Sequence, residues 1–150
     1  MMDPVTGFEY PEAWVRAVKD PGLLPQVESG LALLTADGTV LRRGFTTGTT
    51  AAAACKAAIL SLSREVHRVS LTLPCMIRVE IPARGSGGGG RCVKDAGDHP
   101  SDATAGLEFI AEAESTEADL AVEFGEGIGR YGCDVPGHEE GAPAVSETAL

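Results

Sequence analysis

An alanine-rich run, AAAACKAA at residues 51–58, limits the folds open to this 150-residue chain more than any other segment. Alanine has the highest helix propensity of all residues, so the run predicts a helix of about residues 49–63. Its side chains bury little surface, and the helix shows no strong amphipathic contrast. Such a helix is stabilised by close packing against a neighbouring layer, and we expect that layer to be a β-sheet.

Alternating apolar and polar residues predict the strands of that sheet. Two of them follow the helix directly, VHRVSLTLP (66–74) and MIRVEIPA (76–83), with a tight connection at Pro74 and Cys75. The segment GSGGGG (85–90) is predicted as a mobile loop or an expression scar, without chemistry. Three later segments also predict strands: RCVKDA (91–96), LEFIAEAES (107–115) and ADLAVEFG (118–125).

The order of these elements predicts the fold class. Because strands and helices do not alternate in regular βαβ units, the sequence favours an α+β fold with a mixed or antiparallel sheet packed against one long alanine-rich helix. We therefore do not expect a doubly wound sheet of the Rossmann type. Ahead of this region, residues 10–19 predict a short helix with Trp14 as a packing anchor. Residues 31–43 predict a hairpin that turns at Asp37 and Gly38.

Composition excludes several classes of protein. Hydrophobic residues make up 43% of the chain and charged residues 23%, as in ordinary globular proteins. No apolar run approaches the roughly 20 residues of a membrane span, and the first residues do not resemble a signal peptide. These features predict a cytoplasmic protein with no membrane partner. The four cysteines and three histidines are widely separated, which predicts free, buried thiols and no metal site.

Charge is distributed unevenly along the chain. Residues 41–94 carry nine basic and two acidic side chains, whereas residues 95–150 carry one basic and fourteen acidic ones. A basic segment can attract a polyanionic small molecule, while the net charge of −10 disfavours nucleic acid as a partner. The alternative is that the arginines of this segment are ordinary solvated surface: Arg64, Arg68, Arg78 and Arg84.

The start of the alanine-rich helix is the first candidate site. If Thr49 or Thr50 is the N-cap, the free N–H groups of the first turn can bind a carboxylate or another anion. The segment does not match a phosphate-binding Walker loop, which requires lysine after the last glycine. The predicted binding residues here are Arg42, Arg43, Thr46, Thr47, Gly48 and Thr49. The alternative is a well-capped helix without a ligand.

The segment VKDAGDHP (93–100) is the second candidate. It places Lys94, Asp95, Asp98 and His99 at the end of a predicted strand, where binding and catalytic loops are common. Either aspartate, or the histidine, is a candidate proton acceptor. The alternative is a simple turn with a surface histidine.

The third candidate is glycine-rich. A predicted strand leads into Gly125, Gly127 and Gly129, a spacing by which some folds bring the backbone close to a nucleotide or to S-adenosylmethionine. No clear helix follows these glycines, so the pattern does not complete a dinucleotide-binding motif.

Taken together and in order, five segments resemble the cobalt-precorrin-5B methyltransferase family of anaerobic cobalamin biosynthesis. They are LRRGFTTGTTAAAACKAA (41–58), VKDAGD (93–98), GLEF (106–109), GEGIGR (125–130) and GAPAVSETA (141–149). The opening DPVTGFEYPEAWV (3–15) resembles the N-terminal extension of archaeal members. The resemblance covers nearly the whole chain but about the front half of a full family member. It implies an extension over residues 1–40 and an N-terminal α+β domain over residues 41–150.

The resemblance also implies a reaction. Family members transfer a methyl group from S-adenosylmethionine to ring carbon 1 of a cobalt-bound tetrapyrrole polycarboxylate. Asp95 and Asp98 are then the candidate catalytic residues, which accept a proton or stabilise the sulfonium charge. Many members have cysteine where Thr50 stands, so no thiol role carries over to this position. Two alternatives are a non-catalytic corrinoid-binding module and an enzyme of another class on the same scaffold; a homo-oligomer is compatible with each.

Overall fold

A computed structural model describes residues 1–117 and 121–145 of the chain. The chain forms two compact units, Met1–Ala113 and Glu114–Leu150. The first unit contains all the helices and strands named here. In chain order they are α1 (Glu12–Arg16), a 3-10 turn (Pro21–Leu23), α2 (Leu24–Glu28), β1 (Ala32–Leu34), β2 (Val40–Arg42), α3 (Thr47–Ser61), β3 (Val66–Thr72), β4 (Arg78–Ser86), β5 (Gly89–Val93) and β6 (Glu108–Glu112).

Two antiparallel sheets make up the β structure of the first unit. One pairs β1 with β2, and the other has the strand order β3-β4-β5-β6. Each strand lies beside its neighbour in sequence, since antiparallel strands can be joined by short turns. The predicted α+β class and antiparallel sheet are confirmed. The expectation that the fold is not of the Rossmann type stays a prediction, as do the domain boundaries at residues 40 and 41.

Helix α3 packs on one face of the four-stranded sheet. Along β4 every second residue is buried, and these residues face the helix. The helix contributes small side chains to the core, chiefly Ala53, Ala54 and Ala57, and the sheet contributes branched ones such as Val69 and Ile81. Small residues on the helix and larger ones on the sheet allow a short distance between the two layers.

The segment predicted as a mobile loop, GSGGGG, is instead the hairpin between β4 and β5, so that prediction was wrong. Gly87 and Gly88 form the turn with positive φ angles of 57° and 89°. Gly85 and Gly90 face α3, where a Cβ atom would lie 2.3 Å from the carbonyl oxygen of Ala57 and 2.1 Å from that of Ala54, respectively. The absence of side chains permits close packing here, because the helix backbone occupies the space they would fill.

The first hairpin is confirmed. Its turn contains Asp37, whose carboxylate accepts hydrogen bonds from the Thr35 hydroxyl (2.5 Å) and the Thr39 N–H (3.2 Å). Gly38 takes a positive φ of 81°. The hairpin and the N-terminal segment share a small core of Tyr10, Val27, Ala32 and Leu34. Trp14 is partly buried against that core, as predicted. The predicted helix over 10–19 is shorter in the structure, and α2 was not predicted.

The second unit contains turns and isolated bridges in its described residues, 114–117 and 121–145. The rings of Tyr131 and His138 stack with centroids 4.6 Å apart. Residues 121–125, part of the predicted strand ADLAVEFG, are not in a strand, so this part of the prediction was wrong. Its residues 118–120 lie outside the described residues, as do residues 146–149 of the segment GAPAVSETA. No helix within 1–117 or 121–145 is long and apolar enough to cross a membrane.

Candidate functional site

Two segments singled out in the sequence meet in space. The N–H of Phe45 donates to the carbonyl of Asp95 at 2.9 Å, and the N–H of Asp98 donates to the carbonyl of Arg42 at 3.0 Å. The chain therefore joins the start of α3 to the end of β5, although these segments are about 50 residues apart in the sequence. We call the combined residues 42–49 and 94–98 the junction.

Two glycines make this approach possible. A Cβ on Gly44 would lie 2.3 Å from the carbonyl carbon of Ala96, and a Cβ on Gly97 would lie 2.4 Å from the carbonyl oxygen of Arg42. Gly97 also has a positive φ of 63°, a conformation that other residues rarely adopt. Neither glycine was predicted to have a role. Each glycine lies in a motif with charged or hydroxyl-bearing neighbours, and this feature of the sequence could have indicated a role.

An ion pair between Arg42 and Asp95 lies at the centre of the junction. The guanidinium donates to both carboxylate oxygens, at 2.5 and 3.0 Å, and both side chains are nearly half exposed. The hydrogen bond from Arg42, together with one from the N–H of Gly97, lowers the pKa of Asp95 although partial burial opposes this. Asp95 is therefore a carboxylate at neutral pH and a weak base, better suited to stabilise a positive charge than to remove a proton.

Asp98 lies beside this ion pair. Its carboxylate accepts a hydrogen bond from the backbone N–H of Arg42 at 2.8 Å. The interaction fixes the end of β2 to the loop that follows β5. His99, the third candidate proton acceptor in this segment, is exposed.

Arg43 points to a different carboxylate. Its guanidinium donates to Asp3, whose side chain is 3% exposed. Burial raises the pKa of Asp3, but hydrogen bonds from Val5, Thr6 and Arg43 outweigh it, and the pKa is lowered. Both arginines of the junction are thus paired with carboxylates of the chain itself, so the junction has little free positive charge.

The helix start differs from the prediction. Thr46, with an extended backbone, is the N-cap, and its hydroxyl oxygen accepts a hydrogen bond from the N–H of Thr49 at 3.1 Å. The prediction that Thr49 or Thr50 is the N-cap was wrong. Thr50 is buried, and its hydroxyl donates to the carbonyl of Thr46 at 2.9 Å. Among the residues described, nothing accepts a hydrogen bond from the N–H groups of Thr47 and Gly48, which remain available to an anion.

Lys94 is buried and paired with a carboxylate outside the junction. Its side chain is 4% exposed, and its ammonium lies 2.6 Å from the carboxylate of Asp102. Asp102 also accepts hydrogen bonds from the N–H and hydroxyl of Thr104 at 2.8 and 2.6 Å. The ammonium, followed by these two hydrogen bonds, lowers the pKa of Asp102. Sequence reasoning missed Asp102, because a buried lysine is not recognisable from its neighbours.

The glycine-rich segment belongs to the second unit. Gly127 has a positive φ of 82° in a turn, and the carbonyl of Gly129 accepts a hydrogen bond from the N–H of Ala144 at 2.7 Å. A binding role for Gly125, Gly127 and Gly129 stays a prediction. Within the described part of the chain, no group of three or more histidine, cysteine or acidic side chains is placed to hold a metal ion.

The thiols differ in their exposure. Cys92 is buried in the main core, Cys55 and Cys75 are partly buried, and Cys133 is exposed, so the prediction of buried thiols was wrong for Cys133. Burial raises the pKa of Cys55 and of Cys92. These two thiols are therefore protonated and unreactive at neutral pH.

The cap itself provides a test of the helix start. Thr46→Ala should lower the free energy of unfolding by about 1 kcal/mol, because the N–H of Thr49 loses its acceptor. Chemical denaturation followed by circular dichroism measures this loss. The matched control is Thr47→Ala, which removes an exposed hydroxyl at the first helical position and should change stability little. Equal losses in the two variants would contradict Thr46 as the cap.

Comparison with known proteins identifies the family. Residues 34–150 match the model of the CbiD family. The chain belongs to the CbiD family. A CbiD-family relative from Methanoculleus marisnigri, named cobalt-precorrin-5B C(1)-methyltransferase, is 57% identical over the whole chain. A relative of the same name from Methanoregula boonei is 51% identical, also over the whole chain. The family resemblance found in the sequence is thereby confirmed.

A solved structure shows the same fold. The crystal structure of a cobalamin biosynthesis protein (cbiD) from Archaeoglobus fulgidus matches 99% of the chain with a TM-score of 0.77 and 40% sequence identity. The chain corresponds to 48% of that CbiD structure and to 45% of each of the two relatives above. It therefore spans about half the length of the CbiD proteins that it matches.

Proposed function

We propose that this chain forms part of a methyltransferase that moves a methyl group from S-adenosylmethionine to ring carbon 1 of cobalt-precorrin-5B. The names of the relatives support the reaction. The junction is the observation that supports this function for the present chain. It contains the Arg42–Asp95 ion pair and, close to Arg42 in the sequence, two backbone N–H groups at the start of α3 that are free to bind an anion.

The junction fits a zwitterionic methyl donor. The N–H groups of Thr47 and Gly48 and the positive end of α3 suit a carboxylate. The carboxylate of Asp95, kept ionised by Arg42, suits an ammonium or sulfonium group. S-adenosylmethionine supplies an electrophilic methyl group, and a ring carbon of the substrate supplies the electron pair of the new C–C bond. The S–CH3 bond breaks and leaves S-adenosylhomocysteine.

Positioning is the main task in such a displacement. The methyl carbon must lie in line between the sulfur and the ring carbon, and water must be excluded. The junction residues are anchored by backbone hydrogen bonds and by two glycines without space for side chains, so they form a rigid platform. We assign Asp95 to electrostatic stabilisation of the donor and Asp98 to positioning of Arg42.

A labelling experiment tests this function. The full chain is incubated with cobalt-precorrin-5B and methyl-labelled S-adenosylmethionine, and label in the tetrapyrrole is measured. We expect Asp95→Asn to lower the transfer rate by about 100-fold, since the donor loses a charge partner and Arg42 is released. The control is Glu12→Gln, which breaks an exposed ion pair on α1. Tetrapyrrole binding without any transfer would instead favour the non-catalytic binding module.

A further inference from the structure

The face of the four-stranded sheet opposite α3 carries an unusual set of charges. Side chains alternate along β4, so Arg78, Glu80, Pro82 and Arg84 are exposed on this face. Across the sheet the same face continues through Arg91 on β5. It is a second surface of the basic segment, separate from the arginines of the junction.

Three arginines of this face, Arg68 on β3, Arg84 on β4 and Arg91 on β5, lie close together. Arg84 is directly opposite Arg91 in the register of β4 and β5, and Arg68 is opposite Pro82, one exposed position along β4. Like charges directly opposite each other destabilise a sheet. A sheet that keeps such a pair is not optimised for stability at this position, and adjacent guanidinium groups can together bind an anion.

The carboxylates nearby neutralise one of the three arginines in this cluster. Arg91 forms an exposed ion pair with Glu108 at 3.1 Å. Glu80 and Glu112 lie on the same face, but in the described residues neither forms an ion pair with Arg68 or Arg84. Two guanidinium groups are therefore free to bind an anion.

Exposed aliphatic side chains lie beside these arginines. Ile110 is directly opposite Arg91 and is 60% exposed, and Val93 is 56% exposed on the same face of β5. The combination of aliphatic and guanidinium groups suits a ligand with an apolar body and charged ends. From β3 to β6 the face is about 14 Å wide, since neighbouring strands lie about 4.8 Å apart.

This surface ends next to the junction. The ladder of β5 and β6 extends past Val93, because the N–H of Lys94 donates to the carbonyl of Leu107 at 2.8 Å. Asp95 follows Val93 by two positions and its side chain is partly exposed, so the Arg42–Asp95 pair lies next to the end of β5 that carries Val93.

We propose that an arginine face, formed by Arg68, Arg84, Arg91, Val93 and Ile110, binds the tetrapyrrole substrate. The aliphatic side chains contact the macrocycle, and the guanidinium groups bind its peripheral carboxylates, which they match in charge and in planar geometry. This inference rests on the proposed function. In this proposal the arginine face binds the tetrapyrrole and the junction binds the methyl donor.

Equilibrium binding of a cobalt corrinoid with free carboxylate side chains tests the arginine face. The double variant Arg68→Gln and Arg84→Gln should weaken binding to the full chain by about 10-fold or more. The matched control, Lys19→Gln with Arg64→Gln, removes the same charge from exposed positions outside the face and should retain affinity. The methyl ester of the corrinoid should bind wild type and double variant equally, because its carboxylates are blocked.

A measurement of stability distinguishes a loss of binding from a loss of folding. Arg84→Gln relieves the like-charge pair with Arg91, so the double variant should be at least as stable as the wild type. Binding of S-adenosylhomocysteine should also be unchanged.

Three outcomes would overturn the arginine face. The double variant retains full affinity for the corrinoid, both double variants lose affinity equally, or poly-glutamate displaces the corrinoid at equal carboxylate concentration. Each of these leaves the proposed methyl transfer intact. If the wild-type chain binds no corrinoid at all, the proposed function fails together with the inference.

Discussion

Gly90→Ala should destabilise the protein by about 3 kcal/mol or more, the largest effect we expect from adding a single methyl group. The new Cβ would lie 2.1 Å from the carbonyl oxygen of Ala54 and 2.5 Å from the backbone nitrogen of Ala58. Both contacts are with helix backbone, which cannot rotate away as a side chain can, so α3 or β5 must move. Urea denaturation followed by circular dichroism measures the loss.

The adjacent glycine provides the control. Gly89 lies on the opposite face of β5, where a Cβ would be at an ordinary distance of 3.4 Å from the nearest atom, the carbonyl oxygen of Ser86. Gly89→Ala should therefore change stability by less than about 0.5 kcal/mol. A similar loss in the two variants would show that strand propensity, and not the close approach of α3, sets the cost.

Asp102→Asn should lower Tm by roughly 10 °C, since it leaves the buried ammonium of Lys94 without a charge partner. The exposed pair of Arg16 and Glu12 provides the comparison, and Glu12→Gln should have little effect. Differential scanning calorimetry at neutral pH measures both. Adding Lys94→Met to Asp102→Asn should restore part of the loss, because it removes the unpaired charge. No recovery in the double variant would contradict this explanation.

The same pair predicts a dependence on pH. Its ammonium and the hydrogen bonds from Thr104 lower the pKa of Asp102 in the folded protein. The resulting stability is present above the ordinary aspartate pKa of about 3.9 and is lost as the pH falls below it. Between about pH 5 and pH 2 the wild type should therefore lose more stability than Asp102→Asn. Parallel curves for the two proteins would assign the acid sensitivity to other carboxylates.

Local patterns predicted β3, β4, β6 and the first hairpin, but they also predicted a strand at residues 121–125 that the structure does not have. Period-two alternation identified β3 and β4, and Asp37 with Gly38 identified a turn whose hydrogen bonds are all within five residues. Such features depend on neighbours in sequence. The N-cap was misplaced because four threonines close together each have a suitable hydroxyl, and only the extended backbone of Thr46 decides among them.

Contacts distant in sequence could not be predicted. The junction depends on hydrogen bonds between residues more than 50 positions apart, and nothing within either segment specifies the other. Arg43 and Lys94 were both considered ligand-binding candidates from their charge alone. Their carboxylate partners, Asp3 and Asp102, lie in segments that sequence reasoning treated as unrelated. The glycines of GSGGGG were misinterpreted for a different reason. A glycine can indicate either a flexible backbone or a position without space for a side chain, and the sequence does not distinguish the two.

The close packing of α3 against Gly85 and Gly90 affects a distant part of the molecule. An α-helix is stiff along its axis. Each residue advances it by about 1.5 Å, so Ala54 and Thr46 are about 12 Å apart along the same helix. A shift of α3 where it contacts Gly85 and Gly90 also moves the hydroxyl and amide groups at its N-terminus. If the proposed function holds, mild substitutions at Ala57 or Ser61, both next to Gly85, should therefore slow methyl transfer in a protein that remains folded. These residues would then influence the alignment of the methyl donor without contacting it.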